Sequence, residues 1–517
     1  MLLSSTAVAD RAHVVPDRRG AIPTGAVCSH GENRCFAHVH LNATGEIHAL
    51  AVPNGFGPAD LWSAYAINPD ITTTPTVAIV DAYGYANLES DLATYRAQFG
   101  LPACTRANGC LTVMSQRGST TQLPPNPPAD DDWTVETALD IDMVSAACPH
   151  CKILVVQGDD DNTTNLYTAQ LTAAAAHPAV ISDSWGRAEG VGEDFSQQEP
   201  IFDHPGIATF VSGGDSGFGD GGQGPLYPST SAKVIAVGGT SLVPSNTTRG
   251  WSEIAWVDGG SSCSFAIPKP SYQAPSPCNF RAATDISAVG DPQTGLAVFN
   301  ASNGGFLVVG GTSAAAPIVA SIFAGLGRGN VTAQEISQSG ASLFDVTSGS
   351  NGNCGNILCN ATAGWDGPTG FGTPNASALG GGGSGDTLTV AITSPSDGAT
   401  VNQGFTVTAT VTGSPTKVGL GIDGVLVATS TTRPYSFKAP ADLAAGEHAI
   451  EVVAIDAAND QGGVEIHVTV KAASGGGDEG DTGDDTRMAG CNAGGGSSSL
   501  LGIALALAFV VRRRVRH

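Results

Sequence analysis

The chain has 517 residues, 68 of them Gly and 30 Pro, which at about 100 to 200 residues per domain predicts two or three domains. Asp plus Glu number 47 against 23 Lys plus Arg, and Arg512, Arg513, Arg514 and Arg516 crowd the last six positions, so the body of the chain is strongly acidic. No nucleic acid is expected as a partner, since phosphates need a basic face; 41% hydrophobic residues exclude wholesale disorder although only 14% are charged.

In chain order, residues 1–9, MLLSSTAVA, end in an Ala-Val-Ala that looks like a signal-peptidase site, although neither a charged start nor a long apolar run precedes it. Residues 1–51 are read as an N-terminal export or pro segment. The 11 cysteines sort into close neighbours: Cys28 with Cys35, Cys104 with Cys110, Cys148 with Cys151, Cys263 with Cys278, and Cys354 with Cys359. Cys491 stands alone. Proximity favours five local disulfides in an oxidising compartment. Zinc would want two converging Cys/His pairs and has one Cys-Pro-His-Cys run to use, and a thioredoxin-type redox pair would need a context that is missing.

Between 52 and 378, apolar runs TVAIVDA (76–82), KILVVQG (152–158), AVISDSWG (179–186), ATFVSGG (208–214) and KVIAVGGTS (233–241) alternate with helical stretches such as 134–147 and 163–176. Short apolar strands interleaved with helices predict an α/β domain, a parallel sheet with helices on both faces and chemistry at strand carboxyl ends. Three motifs there bear chemistry. WTVETALDID (133–142) sets Glu136 and Asp140 four residues apart, on one helix face and close enough to share a proton; the bland alternative is two solvated acids. FVSGGDSGFG (210–219) puts Asp215 in a Gly-rich turn after a buried strand, where turn formation alone is a rival explanation. GGTSAAAP (310–317) puts Ser313 where small residues can begin a helix whose N-terminus faces a nucleophile.

Past a GGGGSG linker (380–385; linker 379–386 overall), residues 387–472 alternate apolar and polar in five runs with Asp423-Gly424 as a tight turn. This predicts a small all-β immunoglobulin-like sandwich acting as a spacer or adhesive module. Residues 473–490 are an acidic Gly-rich linker too polar to fold. In 491–517, Gly-Cys491 precedes the apolar run Leu500–Val511 and an Arg cluster. With small residues back to Ala493 this tail is expected to insert in a membrane as a transmembrane helix or to be processed at Cys491. It resembles the tripartite sorting tails of myxobacterial surface proteins.

The three motifs, with GPADLWSAYAI (57–67), SDSWG (182–186), PSTSAKVIAVGGTS (228–241) and DISAVGDPQTG (285–295), resemble one family over residues 52–378, the sedolisins or serine-carboxyl peptidases. The resemblance implies a subtilisin-like fold and a Ser-Glu-Asp triad. Ser313 would be the nucleophile, Glu136 the general base, Asp140 its hydrogen-bonded partner and Asp215 the acid of the oxyanion hole. A secreted or surface-anchored endopeptidase acting on proteins or peptides follows. Its activity belongs to acid pH, because Asp215 donates a hydrogen bond only while protonated. The resemblance also implies one structural calcium ion held by the Asp345 and Asp366 carboxylates and the carbonyls of Val346, Thr362 and Gly364, with Thr362 replacing the family's usual Gly. An ordinary Ser-His-Asp subtilisin is the competitor, but no histidine has the expected His-Gly-Thr-His context, and Asp81, which ends a strand as that family's aspartate does, is read as structural. The short stretch before residue 52 cannot fold as the large prodomain usual in sedolisins, which keeps open a catalytically idle surface adhesin.

Overall fold

The computed structural model describes residues 21–471, apart from 29, 72, 129–130, 381–387, 413–414, 416 and 456–460. The chain divides into two units, residues 1–382 and 383–517.

The first unit opens with three short strands, β1 (Thr24–Ala26), β2 (Arg34–Cys35) and β3 (His38–His40). After helix α1 (Pro58–Ala64) come β4 (Thr76–Ala82), α2 (Leu88–Gln98), β5 (Leu111–Ser115), α3 (Trp133–Ala147), β6 (Lys152–Gly158), α4 (Thr163–Ala175) and β7 (Val180–Asp183). The chain continues through β8 (Trp185–Ala188), α5 (Glu199–Phe202), β9 (Ala208–Ser212), β10 (Leu226–Tyr227), β11 (Ile235–Pro244) and β12 (Trp251–Ala255). A hairpin of β13 (Ser262–Pro268) and β14 (Phe280–Ala283) is followed by β15 (Ile286–Val289), β16 (Leu296–Asn300), β17 (Gly305–Gly310) and α6 (Thr312–Gly325).

The main sheet has the order β12-β11-β9-β7-β4-β6-β5, with β15 also on β11. Within it β4, β5, β6, β7, β9, β11 and β15 run parallel, and β12 alone is antiparallel to its neighbour. These strands are continuously apolar because helices cover both faces, so side chains of either parity are buried; β4 is buried from Val77 to Ala82. The chain steps outward from β4 to β6 and β5 on one side and to β7 and β9 on the other. The order therefore reverses at β4, and a crevice opens beyond its carboxyl end and that of β7. Asp81 and Asp183 stand at those two ends.

Two helices reach this crevice. Helix α3 is buried along its whole length, which is why its sequence is apolar all round; Asp132 caps it by accepting the Thr134 N–H at 3.2 Å. Helix α6, equally buried, packs on α3. Pro317 inside α6 lacks the N–H that would bond the Ser313 carbonyl, and the Ser184 hydroxyl lies 3.3 Å from that carbonyl instead.

The N-terminal strands are woven into the same unit. β1 and β3 belong to an antiparallel sheet ordered β1-β3-β17-β16, and β2 edges the sheet β10-β8-β2. All five local cysteine pairs are disulfides.

In the second unit, two sheets enclose a separate apolar core of residues such as Val407, Val418, Ile450 and Val468. Asp423 and Gly424 both take positive φ, 53° and 78°, the twist a two-residue hairpin requires. The fold is all-β there and α/β in the first unit.

One expectation is corrected. No helix among the described residues is long and apolar enough to cross a membrane. The twelve-residue run Leu500–Val511 also falls short of the roughly 20 a spanning helix needs. That run, Cys491, the linker at 473–490 and the signal-like start at 1–9 lie outside the described residues.

Candidate active site

Ser313 is the second residue of α6, at the helix N-terminus, and is fully buried. The turn into α6 depends on Gly311, whose φ of 116° is costly for any residue with a Cβ. A Cβ there would also sit 2.0 Å from the Phe36 carbonyl oxygen and 2.6 Å from Asp215 Oδ2. Asp215, in the turn after β9, is fixed through one oxygen. Its Oδ1 accepts the Thr312 N–H at 2.7 Å and the Thr312 hydroxyl at 2.9 Å, while Oδ2 is buried without a partner. Burial pushes the Asp215 pKa well above the carboxylate range, and Thr312 pulls against it. Nε2 of His38, whose pKa burial lowers, lies 3.8 Å from Oδ2.

Facing α6, helix α3 presents Glu136 and Asp140 as the four-residue spacing predicts, both with no exposed surface. Asp140 Oδ1 accepts from the Ser184 hydroxyl at 2.9 Å, whereas Asp140 Oδ2 and both Glu136 oxygens lack partners. Burial is the main force raising both pKa values, and the carboxyl of Asp81 raises them further. Burial also raises Asp81 itself to about 7 and Asp183 well above its usual range. Four buried acids thus crowd one crevice. An ionised carboxylate only accepts hydrogen bonds, while a protonated one can donate, so burial favours the protonated forms of this cluster.

Sequence reasoning missed the membership of Asp81. The structure sets it among these acids, within reach of Glu136 and Asp140. An Asp ending an otherwise apolar central strand was the available signal, but which helix faces it is a tertiary fact. The Ser313 hydroxyl opposes the rise at Glu136, yet its own hydrogen bonds run elsewhere. It accepts the Phe36 N–H at 2.9 Å and donates to the Ser184 carbonyl at 3.2 Å. Beside Glu136 lies the Cys28–Cys35 disulfide, its sulfurs and a Glu136 oxygen all within 4.8 Å of one another; bonded to each other, these cysteines are not thiolate ligands.

The five residues expected at a cation site converge elsewhere in the unit. Asp366 is buried, accepts the Thr362 and Thr369 N–H groups at 2.8 and 2.9 Å, and has its pKa raised to about 7, by burial first and by Asp345 as a lesser force. Asp345 accepts the Gly364 N–H at 2.9 Å. Val346 offers its carbonyl nearby, 3.5 Å from the Thr369 hydroxyl. The two carboxylates and the Val346 carbonyl are hard oxygen donors of the kind calcium takes.

Comparison with known proteins adds to this geometry. Residues 130–339 match the Subtilase family and residues 389–452 match a Bacterial Ig domain. The chain is 30% identical over 370 residues to kumamolisin of Bacillus sp. (strain MN-32), covering 64% of this chain and 65% of that one. It is 26% identical over 373 residues to sedolisin of Pseudomonas sp. (strain 101), covering 64% of this chain and 62% of the relative. It thus spans a little under two thirds of either relative's length. Among solved structures, Pseudomonas sedolisin, a serine-carboxyl proteinase complexed with pseudo-iodotyrostatin, aligns with a TM-score of 0.52 and 25% identity over 64% of this chain and 98% of that one.

Proposed function

We propose that this chain, a sedolisin-like peptidase of subtilisin-like fold that also carries a bacterial Ig-like region, hydrolyses peptide bonds as a serine-carboxyl endopeptidase at acid pH. The observation that carries the reading is the set of buried carboxyls with unpartnered oxygens around a serine at a helix N-terminus. In this reading the active form is the one whose acid cluster is short of one proton, and that negative charge rests on Glu136 as Ser313 Oγ gives up its proton to it and attacks the substrate carbonyl. Asp140, with Asp81 behind it, holds the shared proton that keeps Glu136 in place and adjusts its basicity. The negative charge growing on the carbonyl oxygen is met by the Ser313 N–H and by Asp215 as a protonated acid. Glu136 returns its proton to the leaving amine, and water then releases the acyl group by the reverse sequence. Acid pH follows because an ionised Asp215 would repel the oxyanion it must serve.

The same reading gives the Asp345–Asp366 loop a structural calcium ion, held by both carboxylates and by the carbonyls of Val346, Thr362 and Gly364. Five disulfides support a location outside the reducing cytoplasm. Residues 52–378 would be the peptidase domain and 387–472 a spacer or adhesive module. The test is direct: Ser313→Ala and Glu136→Gln should each lower turnover of denatured protein at acid pH by at least a thousandfold while circular dichroism stays unchanged. Undiminished turnover in either variant would refute the assignment.

A further inference from the structure

An extended length of this same chain lies along the crevice at Ser313 and shows how a peptide is seated there. The Phe36 carbonyl accepts the Ser313 N–H at 3.0 Å, and the Phe36 N–H points both at Ser313 Oγ (2.9 Å) and at the Ser184 carbonyl (3.3 Å). Phe36 thus stands where a substrate residue would present its carbonyl to the nucleophile. Two positions earlier, Arg34 pairs with Gly186 in the antiparallel ladder of β2 and β8. From there its guanidinium reaches the wall of the crevice, where Nη2 donates to Asp220 Oδ2 at 2.7 Å. The Asp220 side chain is only 3% exposed, against 27% for Arg34, and its other oxygen, Oδ1, is buried without a partner among the described residues. Asp220 takes a φ of 48° in the Gly-rich turn that follows Asp215. That turn is tied to distant parts of the unit: the N–H groups of Gly217, Phe218 and Gly219 donate to the carbonyls of Asp258, Asn351 and Ser261, each at 2.8 Å. The carboxylate is therefore held in place by the fold before any cation meets it, and a buried carboxylate held in this way favours a counter-charge.

We propose that Asp220 is a specificity-determining residue, which selects substrates carrying arginine, and less strongly lysine, two residues before the one whose carbonyl Ser313 attacks. The inference deepens the peptidase reading above and rests on it. The Arg34 guanidinium stands in for that of the substrate. Arginine is favoured because its planar fork can donate to both carboxylate oxygens, Oδ1 as well as Oδ2, whereas the lysine ammonium acts as a point charge. A neutral side chain at that position leaves Asp220 buried with no counter-charge, and an acidic one adds repulsion. Discrimination thus comes from the penalty on the wrong substrate as much as from attraction to the right one.

The full chain is given a denatured protein at acid pH and the cut sites are read by mass spectrometry, with Ser313→Ala as the blank. Arginine and lysine should be enriched two residues before each new carboxyl end. kcat/KM is then compared on three peptides that differ only at that position, which carries arginine, its neutral isostere citrulline, or alanine. The arginine peptide should exceed each of the others by roughly tenfold or more, and Asp220→Asn should erase the difference. If that variant does not fold, the comparison of arginine with citrulline in the unsubstituted protein still decides. Ser313-dependent cleavage with no basic preference at that position, with the preference at another position, or with a ratio that Asp220→Asn leaves unchanged, would overturn the proposal and leave the peptidase reading standing. Absence of Ser313-dependent cleavage would overturn both.

Discussion

Asp215 carries the most specific expectation at the scale of single residues. Burial raises its pKa, with Thr312 acting against the shift, so the form able to donate persists as pH rises from acid and is lost only as pH passes through that raised value. Asp215→Asn supplies a neutral donor at every pH. The alkaline limb of the pH–rate profile should therefore move upward or flatten, even if the maximal rate falls about tenfold to a hundredfold. Comparing kcat/KM of the two proteins on one peptide between pH 2 and 8 checks this, and identical alkaline limbs would remove Asp215 from the oxyanion role. On the proposed mechanism the opposite limb would report Glu136, Asp140 and Asp81 jointly, because strongly interacting acids titrate as a set.

Among the elements, the Gly311 turn shows how closely fold and chemistry are joined. With φ at 116° and two oxygens within 2.6 Å of any Cβ, Gly311→Ala must either shift the start of α6 or expel Phe36. We expect a loss of about 2 kcal/mol in urea denaturation together with at least a hundredfold loss of turnover. A variant with full activity and an unchanged midpoint would contradict the tight approach. The loop carrying Asp345 and Asp366 makes a separate expectation. If calcium binds there, it adds stability only to the folded state, so chelation should lower Tm, and Asp366→Ala should remove the response to calcium. Since Asp366 is pushed to about 7 and its protonated form binds a cation poorly, the calcium response should be larger at pH 7 than at pH 4. A chelator that leaves Tm unmoved at both pH values would count against the ion.

For the molecule as a whole, the buried acids set a direction for stability. A carboxyl whose folded pKa lies above its unfolded value holds its proton more tightly when folded. Its contribution is complete below about pH 4 and is lost as pH climbs toward the folded value. Asp81 and Asp366 at about 7 place much of that loss between pH 4 and 7, and Glu136, Asp140, Asp142, Asp183 and Asp215 extend it upward. With metal chelated, the first unit should therefore melt several degrees higher at pH 4 than at pH 8, as calorimetry would show. A higher Tm at pH 8 would mean that the acids are relieved by partners not seen around them. The second unit has its own apolar core and no comparable buried cluster among its described residues, so its transition should respond less.

What the amino-acid order determined by itself was whatever rests on short-range periodicity. The runs at 76–82 and 152–158 coincide with β4 and β6, because a strand covered on both faces must be apolar throughout. The Asp423-Gly424 turn is equally local. The spacing of Glu136 and Asp140 puts them on one helix face wherever the helix goes. Only tertiary structure decided what those elements meet. That Asp81 joins the acids of α3 depends on packing between a strand and a helix more than 50 residues apart in the sequence. That Phe36 reaches Ser313, 277 positions away, depends on β2 finding an edge on β8 and β3 finding one on β17. Backbone pairing of this kind leaves almost no trace in side-chain pattern, since any extended residue can supply the N–H and C=O groups it uses.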